Sequence, residues 1–139
     1  MMFTPVSATA GHSMPRGRVL VIDDDPAVGR ALRLILAEEH EVDVLTNARQ
    51  ALDRLREGER YGVILCDVMM PELSGMDFHR ELAQSHPDLA AEVIFLTGGA
   101  FTLGAREFLD CVPNPRLSKP FKWGDLRALI GQQLTRKHA

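Results

Sequence analysis

Short apolar runs alternate with amphipathic segments along most of the chain, from residue 18 to about residue 135. Such runs between polar residues are typical of buried strands, and apolar residues spaced three and four apart are typical of helices. The predicted strands are 19–22, 42–45, 63–66, 93–96 and 116–118. The predicted helices are 26–36, 47–58, 75–85, 105–111 and 123–134. Because parallel sheets with helices on both faces have this alternation, the pattern indicates an α/β fold with five strands and five helices.

Polar residues in two of the apolar runs predict the order of the strands. A strand covered on both faces is continuously apolar, as the first, third and fourth runs are, whereas an edge strand can carry polar side chains. The second run contains Asp43, and Arg116 and Ser118 bound the fifth. We therefore expect a flavodoxin-like, doubly wound sheet of order 2-1-3-4-5, a class that binds ligands beyond the carboxyl ends of its strands.

The first residues of the chain differ in composition from the rest. Residues 1–17 are rich in Ser, Thr, Pro, Gly and Ala and have no apolar periodicity, which is typical of a flexible leader or linker. Residues 18–136 have the length of one domain. We therefore expect a single folded domain over 18–136, with no room for an effector domain after it.

Composition narrows the class of protein. Of 139 residues, 45% are hydrophobic and 25% are charged, the balance of a soluble domain, and the net charge is −3. No basic run suggests nucleic-acid binding, and no apolar run approaches the roughly 18 residues that span a bilayer. Cys66 and Cys111 lack the spacing of a redox or metal motif, so we interpret both as ordinary thiols of a cytoplasmic protein.

Polar side chains stand where the predicted strands end. Asp23 and Asp24 follow the first strand, Asp67 follows the third, Thr97 the fourth and Lys119 the fifth. The carboxyl ends of parallel strands meet at one edge of a sheet, so these groups are expected to converge. A carboxylate can act as a nucleophile toward phosphorus, clustered carboxylates bind Mg²⁺, and a lysine supplies a fixed positive charge. The pattern therefore predicts phosphoryl-transfer chemistry.

Four motifs, VLVIDDDP, LCDVMMPELSG, FLTGG and LSKPF, resemble the receiver domains of two-component response regulators. The resemblance covers 18 to about 135. It implies that Asp67 is the phosphoacceptor, that Asp24 and Asp67 bind Mg²⁺ directly, and that Asp23 acts largely through water. It also implies a further ligand, the backbone carbonyl of Met69.

The same resemblance assigns the remaining groups of the motifs. Thr97 and Lys119 are expected to contact phosphoryl oxygens, and the Lys119–Pro120 bond is expected to be cis. Asp25 matches no pocket position, so we interpret it as the cap of the first helix. The implied partner is a histidine kinase or a histidine phosphotransfer domain. The isolated domain is expected to perform only its own phosphorylation and dephosphorylation.

The chain departs from the family pattern at three positions. Arg116 stands where many receivers carry an aromatic switch residue, so the usual coupling of that residue to Thr97 is not expected. Met69 and Gly99 stand two residues after Asp67 and Thr97, and neither side chain suits the orientation of an attacking water. We therefore expect slow self-dephosphorylation.

Surface arginines and the parent protein are further expectations. By the family resemblance, Arg106, Arg116 and Arg127 fall on the face that often reports switching, where their charge suits an acidic partner, but ordinary solvated surface arginines are the preferred interpretation. The leader and the absence of an output domain resemble receivers of hybrid sensor histidine kinases, although a stand-alone receiver fits as well. The sequence leaves the oligomeric state open.

Two alternatives compete with this interpretation. In a phosphatase similar to haloacid dehalogenases, Asp23 is the nucleophile and Asp25 is its acidic partner. That class needs a pair of acids after Lys119, where only Asp125 follows, and it leaves Asp67 unexplained. The other alternative is an interaction module of the same fold that is not phosphorylated.

Overall fold

A single parallel sheet forms the centre of the molecule. The computed structural model describes residues 17–98 and 102–137. The strands are β1 (Arg18–Ile22), β2 (Glu41–Leu45), β3 (Val63–Asp67), β4 (Val93–Thr97) and β5 (Arg116–Ser118). They pair in parallel in the order β2-β1-β3-β4-β5. The predicted order is therefore confirmed, with the strands of Asp43 and Arg116 at the edges.

Helices connect the strands and cover both faces of the sheet. They are α1 (Pro26–Leu36), α2 (Ala48–Arg56), α3 (Gly75–Ser85), α4 (Pro87–Ala90), α5 (Leu103–Cys111) and α6 (Trp123–Lys137). The prediction of five helices was wrong, because the described residues also contain the one-turn helix α4. Pro87, which the pattern marked as the end of α3, occupies the first turn of α4, where its missing N–H costs nothing. Burial of Leu89 and Ala90 holds this turn against the core.

The helices divide into two layers, each with its own apolar core. On one face of the sheet, Leu32 and Leu36 of α1 and Ile130 of α6 pack on β1, β3 and β4. On the other face, α2, α3, α4 and α5 pack on the alternate residues of the same strands, including Ile22 and Phe95. Successive side chains of a strand point to opposite faces, so the sequence position decides which layer each side chain joins.

Side-chain caps begin α1, α2, α3 and α5. Asp25 Oδ1 accepts a hydrogen bond of 3.0 Å from the backbone N–H of Ala27, which confirms its predicted capping role. Asn47, Ser74 and Thr102 cap α2, α3 and α5 in the same way. These caps satisfy backbone donors that a helix leaves unpaired at its start, and they set where each loop ends.

A charged network lies at the amino end of the sheet, beside β2. Asp43 Oδ2 accepts hydrogen bonds from the Tyr61 hydroxyl at 2.8 Å, from Arg18 at 3.1 Å and from Arg54 at 3.4 Å. The Arg18 guanidinium also lies over the Tyr61 ring, 4.5 Å from its centroid. Together with Glu59, which pairs with Arg18, these residues are called the amino-end cluster.

The structure also bears on the predictions for the Lys119–Pro120 bond, the two cysteines and the leader. The Lys119–Pro120 bond is cis, as expected. Cys66 is buried and Cys111 is exposed, and both are free thiols. The predicted leader, apart from Gly17, lies outside the described residues. Over 17–98 and 102–137, no helix has both the length and the apolar character that a membrane span requires.

Candidate functional site

Three carboxylates lie together at the carboxyl end of the sheet. One oxygen each from Asp23, Asp24 and Asp67 lies within 4.8 Å of the others. Asp23 and Asp24 follow β1, and Asp67 is the last residue of the neighbouring strand β3. With Lys119, which follows β5, these residues are called the acidic site.

Lys119 ties the acidic site together across the sheet. Its Nζ donates a hydrogen bond of 2.7 Å to Asp23 Oδ2 and lies 3.6 Å from Asp67 Oδ2. Burial disfavours the charged ammonium, but the hydrogen bond to Asp23 and the charge of Asp67 outweigh this, so the pKa of Lys119 is raised. The lysine therefore stays protonated at neutral pH and gives the site a fixed positive charge.

Asp23 is the most enclosed of the carboxylates. It is fully buried, and its Oδ1 accepts a hydrogen bond of 2.9 Å from the backbone N–H of Asp25. Its other oxygen accepts the bond from Lys119. A buried charge requires this kind of pairing, because its desolvation is otherwise costly.

Asp67 is a carboxylate in an unfavourable environment. Burial is the largest cause, followed by the charge of Asp23, and together they raise the pKa of Asp67 to about 6. Lys119 and a hydrogen bond from the backbone N–H of Met69 act in the opposite direction. At neutral pH, Asp67 is mostly ionised but insufficiently compensated, a state that an added cation stabilises.

The donor set of the acidic site fits a divalent cation. Its ligands are carboxylate oxygens, which Mg²⁺ prefers, and Asp24 is exposed and open to solvent. One ammonium faces three carboxylates, so a cation also reduces their mutual repulsion. The predicted ligands Asp23, Asp24 and Asp67 thus fit Mg²⁺. Met69 lies two residues after Asp67, and its backbone carbonyl remains a predicted ligand.

Thr97 lies beside the acidic site but belongs to the opposite face of the sheet. Thr97 is 4% exposed, and its side chain is on the same face of the sheet as that of Phe95. The side chain of Asp67 is on the other face, with that of Leu65. The Oγ1 of Thr97 donates a hydrogen bond of 3.4 Å to the hydroxyl of Ser118. Thr97 therefore contacts β5 rather than the carboxylates in this structure.

The loop after Asp67 is held close to the strand end. A Cβ on Gly75 would clash with the backbone carbonyl oxygen of Asp67, so only glycine permits this approach. The N–H of Leu73 donates to the carbonyl of Pro71 at 2.8 Å, and Glu72 between them has a φ of 68°. A hydrogen bond across two residues with positive φ describes a γ-turn, a rare and strained conformation for a residue with a side chain.

Arg116 and Arg127, two of the surface arginines singled out in the sequence, form ion pairs with different elements of the fold. Arg116 is exposed, and its guanidinium lies 3.6 Å from Asp110 of α5. Arg127 pairs with Glu39 at 2.7 Å, on the face of α1 and α6. Gly99 lies outside the described residues. Arg116 and Arg127 thus each pair with a nearby carboxylate.

Sequence reasoning missed two residues that act on this site. Ser118 marked an edge strand and stood in the LSKPF motif without a role of its own, yet it is the register partner of Thr97. Gly75 was identified as the start of a helix and the last residue of the LCDVMMPELSG motif, without a role at the site. The signal for Ser118 was present, because it immediately precedes Lys119 in a strand that ends at the same edge as the strand of Thr97.

An apolar groove adjoins the acidic site. It has a volume of about 420 Å³ and lies between α1 and the loop after β5. Its walls include Val28, Ala31 and Ile35 on one side and Lys119, Pro120 and Phe121 on the other. Lys119 is thus shared between the groove and the acidic site.

Comparison with known sequences gives a consistent result. A family model described as the response regulator receiver domain matches residues 19–131. YkoG of Bacillus subtilis, an uncharacterized transcriptional regulatory protein, is 34% identical over 118 residues, which are 84% of this chain and 50% of that protein. The DNA-binding response regulator MtrA of Mycolicibacterium smegmatis is 32% identical over 122 residues, 87% of this chain and 52% of that protein. The chain thus spans about half the length of these curated relatives.

Two solved receiver domains share this fold. A response regulator receiver domain protein from Clostridium thermocellum is 30% identical with a TM-score of 0.75, over 87% of this chain and 96% of that one. The receiver domain of a signal transduction histidine kinase from Syntrophus aciditrophicus is also 30% identical, with a TM-score of 0.74, over 86% and 91%. Since the family model matches most of the sequence and the fold agrees, the chain belongs to the response regulator receiver domains of two-component systems.

Proposed function

We propose that this chain accepts a phosphoryl group from a phosphohistidine onto Asp67 and relays it or signals with it. The observation that carries the proposal is the acidic site, in which a buried carboxylate with a pKa of about 6 stands beside two further carboxylates and an ammonium. Receiver domains as a class accept phosphoryl groups at such a site, and family membership supports the same role here.

In the proposed transfer, a carboxylate oxygen of Asp67 forms a bond to phosphorus. The bond between phosphorus and the donor imidazole nitrogen breaks, and that nitrogen keeps the electron pair. At neutral pH, Asp67 is mostly ionised because its pKa of about 6 lies below 7, so no base is needed to activate it. The ammonium of Lys119, 3.6 Å from Asp67 Oδ2, is close enough to contact phosphoryl oxygens, and the Thr97 hydroxyl donates to another of them.

Asp23, Asp24 and Asp67, with the Met69 carbonyl, are the proposed holders of Mg²⁺. When bound there, Mg²⁺ supplies positive charge to the phosphoryl oxygens and to the carboxylates around them. The residues of the chain keep the nucleophile buried and hold the lysine in place. Burial also limits the access of water to the phosphorylated carboxylate.

Family membership weakens the phosphatase alternative. That mechanism uses Asp23 and Asp25 as a catalytic pair, but Asp25 caps α1 and Asp23 is enclosed by Lys119 and the backbone. A fully buried carboxylate whose oxygens are both engaged is a poor nucleophile. Asp67 is therefore the proposed phosphoacceptor, and an unphosphorylated interaction module is the outcome to test against.

The apolar groove beside Lys119 supports a protein donor. The groove reaches the acidic site through Lys119, and Ile35 in its wall is 39% exposed. We propose that the phosphohistidine-bearing partner, a histidine kinase or histidine phosphotransfer domain, contacts this groove in the cytoplasm. A stand-alone receiver, the receiver of a hybrid sensor histidine kinase and the receiver of a longer response regulator all fit this chain.

The test is intact-mass spectrometry after incubation with acetyl phosphate, with Mg²⁺ and with a chelator. We expect one added phosphoryl group in the wild type with Mg²⁺, no addition in Asp67→Asn, and normal addition in the control Asp88→Asn, an exposed carboxylate of α4. An adduct that persists in Asp67→Asn would move the nucleophile to Asp23. An absence of any adduct in the wild type, from acetyl phosphate and from phosphorylated kinase alike, would favour the interaction module.

The same samples test the expectation of slow self-dephosphorylation. Met69 is 40% exposed, and its thioether cannot orient a water for attack on phosphorus. After removal of acetyl phosphate, we expect the adduct of the wild type to decay more slowly than the adduct of Met69→Asn, whose amide can hold a water. Equal decay of the two proteins would contradict this role of residue 69.

A further inference from the structure

Ser118 lies where it controls the hydroxyl of Thr97. The two residues are register partners on β4 and β5, so their side chains point to the same face of the sheet. The backbone N–H of Lys119 donates to the carbonyl of Thr97 at 2.7 Å, which fixes the register up to the end of the sheet. The Thr97 hydroxyl therefore has a partner on β5, Ser118 Oγ at 3.4 Å.

The same hydroxyl is the donor that the proposed function requires at the phosphoryl group. Thr97 is one residue beyond Leu96, the register partner of Asp67, so it lies next to the phosphoacceptor strand. A threonine hydroxyl has one proton to donate. Donation to Ser118 and donation to a phosphoryl oxygen on Asp67 therefore exclude each other.

We propose that Ser118 is a positioning residue: its hydroxyl holds the Thr97 hydroxyl in the unphosphorylated protein and competes with the phosphoryl group for it. This rests on the proposed function. Thr97 is buried and Ser118 is exposed, so loss of the Ser118 hydroxyl weakens the compensation of the Thr97 donor in the unphosphorylated protein, whereas in the phosphorylated protein that donor is engaged by the phosphoryl group. Removal of the Ser118 hydroxyl thus shifts the balance toward the phosphorylated form.

The inference also explains how β5 can sense the site without an aromatic residue. Arg116 lies on the same face of β5 as Ser118, two residues away, and it pairs with Asp110 of α5. When Thr97 releases Ser118, the surroundings of β5 therefore change, and the ion pair of Arg116 with Asp110 links β5 to α5.

The test is isothermal titration calorimetry of beryllofluoride, a mimic of the phosphoryl group, with saturating Mg²⁺. Ser118→Ala is expected to lower the Kd by about two- to fivefold, the range of a modest net hydrogen bond. Ser118→Thr keeps a hydroxyl and should restore the wild-type Kd. Ser85→Ala, an exposed serine at the far end of α3, is the matched control and should leave it unchanged.

Measurements in the Thr97→Val variant separate a positioning role of Ser118 from a purely structural one. In Thr97→Val no hydroxyl remains to be held, so adding Ser118→Ala should change the Kd no further. An unchanged or higher Kd in Ser118→Ala, or an equal decrease in the Thr97→Val background, would overturn the proposal. If the wild type binds beryllofluoride no better than Asp67→Asn, the proposed function itself fails, and the role of Ser118 fails with it.

Discussion

The amino-end cluster and the acidic site are built from the same kinds of groups, carboxylates and cations, at opposite ends of one sheet. In the amino-end cluster, two guanidiniums and a phenol surround Asp43, and although burial disfavours its charge, the hydrogen bonds from Tyr61 and Arg18 lower its pKa. In the acidic site, one ammonium faces three carboxylates, and the pKa of Asp67 is raised to about 6.

The difference lies in the balance of charge and in the depth of burial. The side chain of Asp43 is 37% exposed and has donors for its charge, so it needs no further ligand. The side chain of Asp67 is 9% exposed and has too few donors, so a cation or a phosphoryl group with its cation improves its environment. The presence of ion pairs therefore does not distinguish a structural network from a chemical site. The distinguishing feature is a buried carboxylate, here Asp67, whose charge its neighbours do not fully compensate.

The largest expected effect on stability comes from the lysine of the acidic site. Lys119→Met leaves the fully buried Asp23 without its charged partner, and loss of one member of a buried pair costs about 3–5 kcal/mol, with about 2–4 kcal/mol expected here because Lys119 is partly exposed. Urea unfolding at pH 7 without Mg²⁺ measures it. The double variant Asp23→Asn, Lys119→Met should recover more than half of the loss. A similar loss in the exposed control Lys122→Met would contradict this explanation.

The second prediction concerns the pH dependence of Asp67. Its folded pKa of about 6 lies above the ordinary 3.8, so the folded protein binds the proton more tightly than the unfolded chain, and stability falls as pH rises from about 4 to about 6. Asp67→Asn removes this penalty. Its free energy of unfolding should exceed that of the wild type by about 1–3 kcal/mol at pH 7, but by little at pH 4. Urea unfolding across this range, without Mg²⁺, tests the sign; a variant that is less stable at pH 7 would refute it.

The third prediction applies the same substitution to the amino-end cluster. Asp43→Asn should lower the free energy of unfolding by about 1 kcal/mol, because the carboxylate is partly exposed and its ion pairs are screened by solvent. The folded pKa of Asp43 is lowered, so its contribution is complete above the ordinary pKa and is lost only as pH falls through the folded value. The loss should therefore be constant from pH 5 to pH 8, and phosphoryl uptake should be normal. Impaired uptake would mean that the two clusters are coupled.

Effects of about 1 kcal/mol or less are expected at two turns, one at each end of the sheet. Glu72 near the acidic site has a φ of 68°, whereas Gly58 near the amino-end cluster has a φ of 110°. Glu72→Gly should stabilise the protein by about 0.5–1 kcal/mol, and Gly58→Ala should destabilise it by about 1 kcal/mol, since glycine accepts positive φ without steric cost. Thermal unfolding compares the two; destabilisation by Glu72→Gly would show that the Glu72 side chain contributes more than the strain costs.

The architecture followed from the sequence because each element left a clear pattern. Asp43 interrupts the second apolar run and Arg116 and Ser118 bound the fifth, and this was enough to predict the edges of the sheet. Helix α4 was missed because four residues are too few to show a helical period. Its formation depends on tertiary burial of Leu89 and Ala90, which a local pattern does not contain.

The members of the acidic site were predictable for a topological reason. Parallel strands end at one edge, so Asp23, Asp67 and Lys119 had to lie near each other. Their individual partners were not predictable, because the bond of Lys119 to Asp23 joins residues 96 positions apart and depends on side-chain conformation. The contact of Thr97 with Ser118 required the register of β4 and β5, which polarity alone does not fix.

The contact of Gly75 with the Asp67 carbonyl has a practical consequence for engineering. The seven-residue loop 68–74 joins the end of β3 to Gly75, whose backbone cannot shift without moving Asp67, so an inserted peptide there would disrupt the acidic site. The turn at Gly58 is exposed, and a Cβ there would meet nothing within 4 Å. A fluorescent reporter spliced into that turn would be tolerated by the backbone and would leave the reactive end of the sheet free.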